Sequence, residues 1–171
     1  MRAREWIAAG LLALAAAQAQ AQSPCTLVFG QGRNPPLLGG PNWDELNERF
    51  NGAVASALDA GGRRVMPMTA SAVQIDPEAA GIALLREADR LRCATLAETA
   101  VFADEQGTLV VRLRIYPLLP TVGEGGAIVG LRIGSPLFVT QRDLDLKALS
   151  RFKPELIGQQ MAGEYLQHDR R

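Results

Sequence analysis

The sequence predicts a single α/β domain, a two-layer sandwich whose mixed sheet carries its helices on one face in the order β-α-β-α-β-β-β-α. Three observations lead there. Apolar residues recur at helical spacing in two early segments, each preceded by a short run that reads as a strand. From Thr95 the apolar period drops to two and stays there to Val139. A third helical stretch follows Ser150. The 171 residues, 47% of them apolar and 21% charged, suffice for one buried core.

Residues 1–21 stand apart from this domain. Arg2 and Arg4 precede an apolar run from Trp6 to Ala17, and Ala19-Gln20-Ala21 offers the small-x-small pattern of signal-peptidase cleavage before Gln22. The run is too short for a membrane span, which takes about 20 apolar residues. Cys25 is a poor lipid-attachment site because Pro24 precedes it. The expectation is a signal peptide over 1–21, one domain over 22–171, Sec export, and a soluble periplasmic protein without a transmembrane anchor. In that oxidising compartment Cys25 and Cys93, the only cysteines, are expected to form a disulfide.

Each element has its own justification. Thr26-Leu27-Val28-Phe29 is a short buried strand. A Gly/Pro-rich loop runs from Gly30 past Arg33 and Pro35-Pro36 to Gly40, longer than most connections and so the first loop to examine for function. Asn42 caps a helix with Glu45 three residues on; Trp43, Leu46, Phe50, Val54 and Leu58 form its apolar stripe, and Gly61-Gly62 ends it. Arg63–Met68 is a second strand, shortened by Pro67. Asp76-Pro77-Glu78 starts a second helix, which Ile82, Leu84, Leu85, Ala88 and Leu91 carry to Arg92. Thr95–Ala103 and Thr108–Leu118 form a hairpin around Glu105-Gln106-Gly107, a type I turn closed by a left-handed glycine. That turn sets Thr99 opposite Leu113, Val101 opposite Val111 and Ala103 opposite Leu109 on an apolar side. On the other side Glu98 faces Arg114, Ala100 faces Arg112 and Phe102 faces Val110. A slip of one residue would carry Glu98 among the leucines, so the pattern selects the turn. Thr121–Gly126 leads into a strand over Ala127–Val139, and Ser150 is the expected cap of the last helix, with Pro154 in its first turn.

Composition narrows the functions. Eighteen basic side chains balance 18 acidic ones, and loss of the signal peptide leaves a net charge of −1. A nucleic-acid binder relying on a strong overall basic field is excluded on that ground. His168, the single histidine, lies at a helix end and reads as a solvated surface residue; no serine sits in a Gly-x-Ser-x-Gly turn. Two cysteines and one histidine do not fill a zinc shell, so neither metal nor cofactor is expected. Gly30-Gln31-Gly32 is not a dinucleotide loop, because the next helix opens only at Trp43. Glu45 and Glu48 suit the first turns of a helix, and Asp143 and Asp145 a polar connection. No catalytic residue is assigned.

The informative cluster is Arg112, Arg114 and Tyr116, on the strand side turned away from the helices, which Arg132 joins if its strand neighbours theirs. Three guanidiniums beside an aromatic ring suit carboxylates, phosphates or an acidic partner. A solvated sheet face partly neutralised by Glu98 is the plainer reading of the same residues.

The order of elements over residues 25–166 resembles small exported proteobacterial proteins of uncharacterised function. The residues that carry the likeness are the Asn42-Trp43-x-x-Leu46-Asn47-x-x-Phe50 helix, the Arg63–Met68 strand and a second helix ending at Cys93. The arrangement is also similar to the amino-terminal α/β domain of the Tol–Pal system protein TolB and to the periplasmic domain of curli-secretion lipoproteins. The resemblance implies a non-enzymatic role in the cell envelope, in docking or assembly. The expected function is therefore a non-catalytic periplasmic accessory or binding module. It would dock a cell-envelope protein or an anionic ligand through Arg112, Arg114, Tyr116 and Arg132. The alternative is a small exported hydrolase using the Gly30–Gly40 loop and acidic residues.

Overall fold

A computed structural model of the chain describes residues 25–34, 40–70 and 76–170. Residues 1–21, expected to be a signal peptide, and Pro35-Pro36 lie outside the described residues. The elements are β1 (Cys25–Gln31), α1 (Trp43–Ala60), β2 (Arg64–Ala70), α2 (Pro77–Arg90), β3 (Cys93–Ala103), β4 (Thr108–Val122), β5 (Ile128–Ile133), β6 (Phe138–Asp145) and α3 (Pro154–Asp169). They build a mixed six-stranded sheet in the order β2-β1-β3-β4, with β5 and β6 one after the other along the remaining edge of β4. β1 runs parallel to β2 and β3, and the other pairs are antiparallel. The α/β class and the mixed sheet are as the sequence predicts. No described helix is long and apolar enough to cross a membrane.

The placement of the helices differs from the expectation of one covered face. α1 and α3 pack together over Val28, Ala97, Val101, Val111 and Ile115. α2 instead sets Leu84 and Ala88 against Leu27, Leu96 and Leu118. Consecutive strand residues point to opposite faces, so Leu27 and Val28 place α2 on the face opposite α1. The cause is the direction of the crossovers. The chain steps from β1 to β2 on one side, then returns past β1 to β3 on the other. Two right-handed connections in opposite directions leave their helices on opposite faces.

Local chemistry fixes the ends of the elements. The Asn42 side chain accepts a hydrogen bond from the Glu45 N–H at 3.2 Å, and that of Asp76 accepts from the Glu78 N–H at 3.0 Å. Ser150 does not cap α3: it lies in a 3-10 turn over Leu146–Arg151, and α3 begins at Pro154 after Lys153. Pro67 sits in β2, an edge strand, where its missing N–H is tolerated. The hairpin register is the expected one, with Thr99 opposite Leu113 and Glu98 opposite Arg114. Gly107 takes φ 77° at the turn, where the Asp104 carboxylate accepts from the N–H groups of Gln106 and Thr108.

The strand expected over Ala127–Val139 breaks in two. Leu118 pairs with Ile133, but Ile115 pairs with Phe138, so Gly134–Leu137 forms an irregularity between β5 and β6. Asp143 and Asp145 consequently lie in β6 and not in a connection, their alternation with Thr140, Arg142 and Leu144 being that of a polar edge strand. The disulfide between Cys25 and Cys93 ties the start of β1 to the start of β3 beneath α2.

Candidate functional site

β3 outruns β1, and that overhang builds the site. β1 pairs with β3 only as far as Gly30 opposite Thr99, which would leave the backbone of Val101 and Ala103 without partners. Two asparagine side chains replace the missing strand. Asn47, buried in α1, donates to the Val101 carbonyl and accepts from its N–H, both at 2.7 Å. Asn34, in the loop after β1, does the same at Ala103, at 3.0 and 2.9 Å. That second pairing fixes the neighbouring Arg33 above the sheet face that carries Phe102, Glu98, Arg112, Arg114 and Tyr116.

Glu98 is the hub of the cluster. Its carboxylate takes Arg33 at 3.2 Å, Arg112 at 3.7 Å, Arg114 at 3.9 Å and the Tyr116 hydroxyl at 3.1 Å. The Arg114 guanidinium also reaches the Tyr116 oxygen at 3.4 Å. Arg33 and Arg112 both lie over the Phe102 ring, 5.1 and 5.6 Å from its centroid. Three cations meet one carboxylate, so the cluster holds a local excess of two positive charges. Arg112 is only 8% exposed, and its Nε has no hydrogen-bond partner. Burial first, and then the charges of Arg33 and Arg114, lower its pKa from the ordinary arginine value, against the opposing pull of Glu98 and Tyr116. Arg33 and Arg114 remain part-exposed, at 40% and 34% of their side chains.

The expected residues divide accordingly. Arg112, Arg114 and Tyr116 come together as alternation on β4 requires, but Arg112 serves as a buried strut for Glu98 and does not offer itself to solvent. Arg132 does not join them. It pairs with Leu119, whose side chain is on the opposite face from Tyr116 and Leu118, so it emerges on the other side of the sheet. Arg33 takes the third place. The available signal was the pairing of Asn34 with the end of β3, which no spacing in the sequence encodes.

Among the described residues, the helical cover of this face is α2, at one end. α2 packs over Leu27, Leu96 and Leu118, with Tyr116 at the margin of that cluster, while Phe102 and Arg114 are outside it, Arg114 opposite Val139 of β6. The part-exposed Arg33 and Arg114, with the local excess of positive charge, can hold an anionic group between them without moving the strands beneath. No protein-family model matches the chain, and no curated protein matches it.

Proposed function

We propose that this chain is a non-catalytic periplasmic binding module that docks an anionic component of the cell envelope through the face of Arg33, Arg114 and Tyr116. The observation that carries the reading is the sharing of Glu98 among three guanidiniums, two of them part-exposed, at the margin of the α2 cluster. A face built only for solubility spreads charges of both signs; here the cations converge and two of them stay accessible. Export is supported by the basic and apolar start of the sequence and by a disulfide, a bond that persists in oxidising compartments.

The test is in-cell crosslinking of the native protein against an Arg33→Glu/Arg114→Glu variant whose folding is first verified by circular dichroism. Arg112 is left intact because it supports the sheet. A partner captured by the native protein and lost by the variant is the expected result. An identical set of captured proteins for both would mean that the face is solvated surface and nothing more.

A further inference from the structure

Among the described residues, β6 carries no further strand on its outer edge, beside the basic face. Six of the nine exposed large apolar side chains among the described residues fall between Val122 and Val139, on the outer hairpin arm and edge. Leu137 and Val139 are 54% and 52% exposed there. Concentrated exposure of this kind marks an interaction surface more than scattered surface leucines do. At the opposite edge of the sheet, β2 carries Pro67, which removes a donor.

The backbone direction at this edge follows from the pairing. The Asp104 N–H donates to the Thr108 carbonyl, so Thr108 and, at alternate positions, Val110, Arg112 and Arg114 turn their backbone groups toward β3. Their partners on β6 are Asp143, Gln141 and Val139. These are pairs without mutual hydrogen bonds, so the three β6 residues turn N–H and C=O away from β4, to the open edge. The same three residues share a sheet face with their partners. Main-chain groups open to a new strand thus sit one strand away from Arg114 and Arg112.

We propose that the docked partner contributes an extended segment that adds as a strand along β6, with an apolar side chain against Val139 and, two residues away on the same face, a carboxylate beside Gln141, within reach of Arg114. This rests on the docking reading above and names the partner's chemistry: an extended peptide segment with an acidic residue two positions from apolar ones. Asp143 repels an acid at the far end of the strand, so the segment is uncharged or basic there. Main-chain pairing supplies affinity, and the flanking charges supply register and specificity.

The probe is a fluorescein-labelled valine/glutamate peptide, 8 residues long like β6, in which one glutamate has valine two residues away on either side and threonine fills the other positions, titrated by anisotropy against the exported, disulfide-bonded protein. The valine/lysine control has lysine in place of that glutamate. The valine/glutamate peptide should bind, while the valine/lysine peptide should not. Val139→Pro removes an outward N–H but no bond to β4, and should weaken binding about tenfold. The same loss is expected for the native protein with a peptide N-methylated at alternate residues, a readout that does not depend on the variant folding. Arg33→Glu/Arg114→Glu should also weaken binding. Loss on charge reversal but not with proline or N-methylation overturns strand addition and leaves the docking face standing. Loss with proline while charge reversal is silent overturns the acidic partner and the docking reading together. Failure of the native protein to bind the valine/glutamate peptide, or equal binding of the valine/lysine peptide, overturns this proposal and leaves docking to the crosslinking result.

Discussion

Glu98 alone holds three like charges together, and its removal is more costly than that of any single cation around it. Glu98→Gln keeps the side-chain volume but leaves Arg33, Arg112 and Arg114 facing one another, with Arg112 buried. The expected destabilisation is about 2 kcal/mol, kept below the value for fully buried pairs because the Glu98 side chain is 20% exposed. Arg112→Met replaces a buried cation with an unpartnered Nε by an apolar chain of similar length that still covers Phe102, and should cost less than about 1 kcal/mol. Urea unfolding of both variants checks the order; a larger loss for Arg112→Met would show that Arg112, and not Glu98, anchors the face. At this scale Arg112, Arg114 and Tyr116 were legible because strand alternation places them without knowledge of the rest of the fold. Arg132 was not, since its face depends on the register of a strand interrupted at Gly134–Leu137. Arg33 was not, since a loop residue takes its position from what its neighbour bonds.

Among the elements, the α1–α3 contact is the closest and the most exacting. Gly158 lets the two helices meet: a Cβ there would stand 2.9 Å from the Ala53 Cβ and 3.0 Å from the Phe50 carbonyl oxygen. Gly158→Ala should therefore destabilise by about 1–3 kcal/mol through displacement of α3. Gly163, in the same helix, has open space at its Cβ position, and Gly163→Ala should stabilise by up to about 1 kcal/mol. Thermal melts of the two variants moving in opposite directions check the packing account. The same pair of helices is joined at the surface by Arg49 and Glu155 at 2.6 Å. The hydrogen bond from Arg49 comes first in holding the Glu155 carboxyl below the ordinary glutamate range. Because the folded value is the lower one, the stabilisation is present above the ordinary glutamate pKa. It is lost as pH falls through the lowered value. A carboxyl-detected NMR titration should show Glu155 protonating at a more acidic pH than free glutamate, and Arg49→Ala should raise it toward the ordinary range. The elements themselves were largely legible, because caps and turns are written in adjacent residues: Asn42 with Glu45, Asp76 with Pro77, Asp104 with Gly107. β6 was missed because two of its inward positions, Thr140 and Arg142, are polar and interrupt the apolar period that Phe138 and Leu144 bracket.

In the whole molecule the sheet separates two unequal cores, and the sequence carried a sign of this in its first strand. Leu27 and Val28 are both fully buried, whereas a strand covered on one face alternates buried with exposed. The unbroken apolar run Leu27-Val28-Phe29 therefore signals cover on both sides. Helix stripes do not, because a stripe records that a helix packs and not on which face. The larger core holds α1 and α3, and the smaller holds α2 with the cystine at its base. Cys25 and Cys93 are 68 residues apart, and the loop they close contains α1, β2 and α2. Restricting that loop in the unfolded chain stabilises the fold by about 4 kcal/mol in the loop-entropy account. With a urea dependence of about 2 kcal/mol per molar, reduction should lower the unfolding midpoint by about 2 M. The loss should not be felt evenly. α2 has the smaller buried surface and rests on the strands that the cystine joins, so its amides should gain exchange on reduction before those of α1 and α3. Equal acceleration in all three helices would mean that the two cores unfold as one unit. A midpoint shift well below 1 M would mean that the reduced, unfolded chain already keeps β1 and β3 near each other.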